Sequence, residues 1–434
     1  MFGGPGSADR GGGAAAHRSW SARDIGGSMA SRIARAGGAL VAGERGETID
    51  VFRGCALFGV LAVNLYFIAG EAQPDTDVDR AATWLRDFIF TAKSYSMLAL
   101  LFGLGFAIQR ERALAHDRNF APTFARRALV LLALGVLHGI FLWWGDILAV
   151  YALLGLFLLL VQAASPRALL VWVVGLLGLA AIAELGVAAL IALAPPETAA
   201  QPVGSPIIPT EESVRRYTTG SYPDITAARA RLWATTATSQ LLLAFPNFFA
   251  MLLLGLWLGR RAVFADLERH RPMLRRFALL GLAFGIPANA TYATVATFTD
   301  PQRPGFYAAA ALQTIGAPVL MLGYLGSLVL LQRHGGMVAR ALVPLAAVGR
   351  VSLSNYLLQS LVLNLLVYSY GLGLYGRIGA AGGLGLALVV YLGQVVLSNL
   401  YARVFAVGPA EALWRALGPP VAPSRRHVAV RRRR

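Results

Sequence analysis

The chain has 434 residues, 56% of them hydrophobic and only 14% charged, with a mean hydropathy of +0.59. A water-soluble domain of this length carries roughly a quarter charged residues, so a soluble globular class is excluded. A formal charge of +17 does not point to nucleic acid here, because the basic residues sit at the ends of apolar runs, where they suit lipid headgroups. A single cysteine, Cys55, excludes a disulfide framework.

Residues 1–47 are rich in Gly, Ala, Ser and Arg without apolar periodicity, which predicts a disordered basic cytoplasmic tail and no signal peptide. Ten apolar segments follow, at 52–70, 87–109, 128–144, 147–164, 169–194, 240–259, 277–298, 307–331, 351–371 and 382–401. Each approaches the length needed to cross a hydrocarbon core about 30 Å thick. The expected fold is therefore all-α, a polytopic membrane protein with about ten transmembrane helices and both termini cytoplasmic. One transmembrane domain spans 48–417, with an N-terminal half at 48–194, an outer loop at 195–239 and a C-terminal half at 240–417; a basic cytoplasmic tail, 418–434, closes the chain.

The third and fourth segments are parted by little more than Gly145-Asp146, which predicts a tight helical hairpin. Ile225–Ser239 reads as an amphipathic helix lying on the membrane surface. Pro246, Pro287 and Pro318 fall inside apolar segments and mark kinks. Arginines in the short connections set the orientation: those at 110–127, 165–168, 260–276 and 332–350 hold 15, and those at 71–86, 145–146, 299–306 and 372–381 hold 4. The first group belongs in the cytoplasm, which suits a bacterial cytoplasmic membrane.

Ionisable groups at membrane depth are costly, so each one is a functional candidate. His138 is the only one of six histidines inside an apolar run. Asn64 lies 11 residues beyond Arg53, roughly 16 Å along the axis, and His138 repeats that spacing from Arg127. Depth then places Asn64, Lys93, His138, Asp146 and Glu184 in one slab, the outer half of the membrane, and the first three are expected to line one cavity. Each has a plainer role open to it: an interhelical hydrogen bond for Asn64, outward snorkelling for Lys93, an ion pair for Glu184, a turn or helix cap for Asp146.

The ninth segment, VSLSNYLLQSLVLNLLVYSYG, is the other polar helix. Asn355 and Gln359 share one face, Ser360 and Asn364 another, and the segment opens beside Arg350. No His/Cys set at ligand spacing supports a metal.

Three stretches of the N-terminal half, IDVFRGCALFGVLAVNLY, KSYSMLALLFGLGFA and RRALVLLALGVLHGIFLWWGDILAVYALLG, resemble the YeiB-like bacterial membrane proteins. VGRVSLSNYLLQSLV, GLGLYG and GPAEALWRAL resemble that family's C-terminal domain of unknown function, with Ala410 and Ala412 in place of bulkier residues. The resemblance covers about 48–417 and extends distantly to transmembrane acyltransferases. Glycan-modifying members carry an Arg and a His separated by ten residues in their first helix; Arg53 matches that arginine and Asn64 stands where the histidine would be. The heparan-type enzymes carry an asparagine there and a separate outer-side histidine.

The resemblance implies a membrane-embedded acyltransferase that takes an acyl group from a cytoplasmic acyl-CoA or a lipid-borne donor and passes it to an outer-side glycan or lipid acceptor. His138 is then the general base, Asp146 or Glu184 orients it, and Asn64 and Lys93 stabilise the oxyanion. Arg53, Arg127 and Arg350 receive donor phosphates at the inner face, and Trp144, Asn355 and Gln359 complete the donor and substrate contacts. A transporter or lipid flippase using the same buried charges is the alternative, and a non-catalytic scaffold a third. The partners expected are the bilayer, the donor and the acceptor, with no nucleic acid, no metal and no firm cofactor beyond acyl-CoA as co-substrate.

Single cysteines introduced into a Cys55→Ser background test the orientation: residue 265 should be labelled only from the cytoplasmic side, and labelling from outside alone would reverse it.

Overall fold

Within lipid a backbone satisfies its hydrogen bonds by closing them inside helices. The computed structural model accordingly holds helices and no strand among its described residues, 22–70, 76–193, 211–301 and 303–418. Side chains are described from residue 46 onward, except at 213, 239, 240 and 242–244. Two units divide the chain, Met1–Arg45 and Gly46–Arg434. The first is helical from Ala22, so the loose tail predicted over 1–47 is corrected from that residue on; residues 1–21 lie outside those described.

The helices run α1 (Ala22–Ala69), α2 (Asp77–Ile89), α3 (Lys93–Ala115), α4 (Phe120–Phe141), α5 (Leu148–Val161), α6 (Pro166–Leu193) and α7 (Glu211–Thr219). They continue with α8 (Tyr222–Arg260), α9 (Arg271–Phe298), α10 (Pro304–His334), α11 (Gly336–Arg350), α12 (Ser352–Val367), α13 (Ala380–Ala402) and α14 (Pro409–Leu417). All ten predicted apolar segments fall on helices. Seven helical stretches are long and apolar enough to cross a membrane, and α11 with α12, bent by 83°, makes an eighth if the pair is one span. Leu148–Val161 and Phe245–Arg260 are apolar but shorter. Pro246, Pro287 and Pro318 lie inside α8, α9 and α10.

The predicted outer loop is corrected in part. Residues 195–210 lie outside those described, but Ile225–Ser239 is the start of α8, continuous with its apolar half. Ile225 and Arg229 on it are fully buried while Arg231, Ala234, Thr235 and Thr238 are exposed, so one face of this stretch packs inward. Of the C-terminal tail, residues 419–434 are likewise outside those described.

The most apolar span, α6, is also the least buried, and it turns Val171, Trp172, Val174, Ile182 and Leu190 outward. Water would make that a liability; hydrocarbon does not. Close packing inside relies on small residues. A Cβ on Gly255 would run into the carbonyl of Leu100, and one on Gly103 into that of Leu252, so α3 and α8 pack almost backbone to backbone. Gly281 and Gly323 do the same for α9 and α10.

Contacts separate two ends of the bundle. At one end Arg260 donates to the carbonyls of Gln162 and Ala164, Arg127 Nε donates to the Gly418 carbonyl at 3.0 Å, and Glu411 accepts the Leu353 N–H at 2.7 Å. This end carries the arginine-rich connections. At the other, the Gly376 N–H reaches the Ala69 carbonyl at 2.8 Å and the Ser369 N–H the Tyr217 carbonyl at 3.0 Å.

Gly255→Ala should lower stability in detergent by about 1–3 kcal/mol, the usual cost of overpacking. Gly175→Ala on α6, where the added methyl meets open space, should not. Equal melting of the two variants would contradict the backbone-to-backbone packing.

Candidate active site

The turn between α4 and α5 builds the site. α4 ends by closing two N–H groups, those of Leu142 and Trp143, onto the His138 carbonyl at 2.9 and 2.8 Å. The chain then reverses, and Asp146 Oδ2 accepts the Ala149 N–H at 2.6 Å, which caps the first turn of α5. Gly135, one turn before His138, lets the start of α5 approach: a Cβ there would overlap Ala149 N and Asp146 Oδ2. Capping and close approach together leave the second carboxylate oxygen of Asp146 facing the imidazole.

The result is a buried chain of three side chains. Asp146 Oδ1 lies 2.8 Å from His138 Nδ1, and His138 Nε2 lies 2.8 Å from Ser360 Oγ on α12. His138, Asp146 and Ser360 are 3%, 4% and 2% exposed. The Nδ1–Oδ1 contact is a close charge contact, short of hydrogen-bond alignment; a carboxylate beside Nδ1 favours the tautomer with the proton on that nitrogen, which would leave the Nε2 lone pair facing the Ser360 hydroxyl. Tyr356 completes the surroundings. Its hydroxyl accepts the Ile147 N–H at 3.5 Å, and its ring lies 4.9 Å from the imidazole.

Arg229 ties the end of α4 to α12. It donates to the Phe141 carbonyl at 2.8 Å, to Asn364 Oδ1 at 2.7 Å and to the Tyr370 hydroxyl at 2.9 Å, with its guanidinium over the Tyr368 ring at 4.4 Å. Asn364 in turn donates to the Leu142 carbonyl at 3.0 Å. These are the carbonyls that a helix end leaves unpaired, and a cation there meets the negative end of the helix dipole.

Of the five residues placed by depth in one slab, the structure brings together only His138 and Asp146. Lys93 is fully buried elsewhere, where Nζ donates to the Asp87 carbonyl at 2.7 Å and to Asn289 Oδ1 on α9 at 3.0 Å. It opens α3 just after a break at Ala92, whose φ of 67° is unusual for a residue with a side chain. Beside it Arg86 Nε meets Asp87 Oδ1 at 3.1 Å. Glu184 is half-buried on α6 near the phenols of Tyr95 and Tyr307. Asn64 is half-buried on α1 without a hydrogen-bond partner among the described residues. The single cavity expected for Asn64, Lys93 and His138 is thus not how these groups pair, since equal depth says nothing about which helices are neighbours.

The donor-side residues also separate. Arg53 Nη1 pairs with Asp50 Oδ1 at 3.2 Å, and Arg350, exposed, lies close enough to act on the same carboxylate. Arg127 sits apart with α14, bonded through Gln109, Gly418 and Trp414. Asn355 and Gln359 bond Ser398 and Gln394 on α13, each at 2.9 Å. Trp144 is half-buried against Trp143 at 5.0 Å. The two polar faces of α12 therefore serve different neighbours, Asn355 and Gln359 holding α13 while Ser360 and Asn364 meet the end of α4. Sequence reasoning passed over Tyr356 and Arg229; an arginine four residues after Ile225 on a stretch of mixed polarity carries no sign of inward burial. Among the described residues no group of His, Cys, Asp and Glu has the makings of a metal site.

The chain is similar along most of its length to YxaH of Bacillus subtilis (strain 168), 33% identical over 398 residues that make up 86% of this chain and 94% of YxaH. YeiB of Escherichia coli (strain K12) is 28% identical over 403 residues, 86% of this chain and 96% of YeiB. This chain belongs to the YeiB-like family. A "39.9 kDa protein in amylase 3'region" of Bacillus acidopullulyticus is 24% identical over 388 residues. The family model described as a protein of unknown function (DUF418) matches residues 258–418. Ser360 lies within that match and His138 and Asp146 outside it, so in this member of the YeiB-like family the buried chain of side chains joins two parts of the sequence.

Replacing Arg229 by Met should lower the melting temperature in detergent, by an amount equivalent to roughly 1–3 kcal/mol for buried acceptors left unpaired. An unchanged melt would show that Arg229 does not hold the end of α4.

Proposed function

We propose that the protein is a membrane-embedded acyltransferase in which His138 acts as general base. The observation that carries this is the Asp146–His138–Ser360 chain, with 2.8 Å at each step. A base needs its lone pair on the proton to be moved and a partner for the charge it acquires. Ser360 and Asp146 stand in those two places, and the surrounding apolar helices exclude water that would weaken the interaction. The resemblance to transmembrane acyltransferases supports the same reading. Arg53 and Arg350, gathered around one carboxylate at the arginine-rich end, are placed for the phosphates of an acyl-CoA or lipid-borne donor. The acceptor is an outer-side hydroxyl or amine of a glycan or lipid.

In this reading the chain crosses a bacterial cytoplasmic membrane ten times. α5 and the apolar half of α8 are the two shorter crossings, and α11 lies along the inner face before its 83° bend into α12. The arginine-rich end faces the cytoplasm in this reading, which the charge count supports.

Transport or lipid flipping is the second reading. It is favoured by the break between α2 and α3 in one candidate span, with Arg86, Asp87 and Lys93 buried beside it. Interrupted helices with buried charges are the usual construction of transporter sites.

Purified protein screened with acyl-CoA thioesters against glycan and lipid acceptors tests the first reading, with His138→Gln beside wild type. Loss of a general base should lower the rate about a hundred- to ten-thousand-fold, with the melting temperature held. A variant that melts early yet transfers at the wild-type rate when folded would reduce His138 to packing.

A further inference from the structure

Among the described residues the one hydrogen bond that the His138 ring makes is to Ser360. Its Nε2 is hydrogen-bonded to Ser360 Oγ and its Nδ1 lies 2.8 Å from the Asp146 carboxylate, so the proton nearest a basic Nε2 is that of Ser360. We propose that Ser360 is the nucleophile, carrying the acyl group as an ester between donor and acceptor. This deepens the acyltransferase reading and rests on it.

The order Ser, His, Asp, with the hydroxyl on the imidazole and the imidazole on a buried carboxylate, is the arrangement that activates a serine for acyl transfer wherever it occurs, whatever the fold. The three residues come from two separate parts of the chain, α12 on one side and α4 with the α4–α5 turn on the other. A helix-packing contact needs one hydrogen bond and not a relay of two. The role of Ser360 in packing is also small: its neighbours Gln359 and Asn364 make the bonds to α13 and to the Leu142 carbonyl. A second observation concerns donors. Trp143 Nε1, in the turn that carries Asp146, and Arg229 Nε are buried without hydrogen-bond partners among the described residues. A buried N–H left unpaired is costly; the first lies three residues before Asp146, and the second belongs to the arginine that binds the Phe141 carbonyl at the end of α4.

The steps balance. Ser360 Oγ attacks the carbonyl carbon of an acyl thioester while its proton passes to His138 Nε2, and the imidazolium is held by Asp146. The carbon–sulfur bond breaks, and the thiolate leaves with the proton from Nε2. An acceptor hydroxyl then gives its proton to Nε2 as its oxygen bonds to the acyl carbon. The ester bond to Ser360 breaks, and Oγ takes the proton back. No oxidant, metal or further reactant enters.

Hexadecyl fluorophosphonate provides the test, because it modifies an activated serine with loss of fluoride whatever the natural acyl group, and its chain suits a membrane site. Full-length protein in lipid nanodiscs is treated with it and the peptides are read by mass spectrometry. The phosphonate should map to Ser360 in wild type, be absent from Ser360→Ala, and form at least about a hundredfold more slowly in His138→Gln. The wild-type arm requires no variant to fold, and unlabelled Ser360 there overturns the proposal. Acyl-CoA turnover separates this from the parent reading. If His138→Gln loses transfer while Ser360→Ala keeps it, the covalent step is overturned and direct base catalysis stands; if both variants transfer like wild type, both readings fall. A Ser360→Ala protein that folds, takes no label and transfers no acyl group supports the covalent step.

Discussion

A carboxylate and an imidazole 2.8 Å apart, both shut away from solvent, set the terms for everything around them. Each alone would cost several kcal/mol to bury, so the surroundings must supply their remaining hydrogen bonds. Asp146 receives one from the Ala149 N–H. His138 finds its own on Ser360. That requirement fixes the α4–α5 turn, makes Gly135 the residue that lets α5 come close, and draws α12 against the end of α4.

The remaining polar groups of this region extend the same construction. Asn364 and Arg229 pair the carbonyls that α4 leaves open, and Arg229 joins them to α8 and to the tyrosines after α12. The start of α8 is therefore part of the interior. A second cluster, around Lys93 and Asn289, belongs to α2, α3 and α9 and shares none of these bonds.

Much of the fold was legible because apolar length and arginine bias are one-dimensional properties. The apolar segments fell on helices, the second of them broken between α2 and α3, the α4–α5 hairpin formed at Gly145-Asp146, and the arginine-rich connections gathered at one end. His138 was legible as the one histidine in an apolar run, and Asp146 as its neighbour across a short turn. The choice of partners was not. Counting along the helices assigns Lys93 and His138 one depth, yet helix packing sends one to Asn289 and the other to Ser360, and no spacing in the sequence encodes that. Arg229 was hidden for a related reason, since polar residues in the first half of α8 read as a surface face until the tyrosines that cover the arginine are placed. The length of α8 hid too, because composition changes at residue 240 while the helix does not end.

The account depends on the polarity of the relay, with the proton on Nδ1 and the lone pair on Nε2. Nitrogen-15 NMR of histidine-labelled protein in lipid, with His138→Gln to assign the resonance, reads this directly. The account predicts that His138 carries its proton on Nδ1, bonded to Asp146, with an unprotonated Nε2, and that Asp146→Asn disturbs that state. A proton resident on Nε2 with a bare Nδ1 would contradict it.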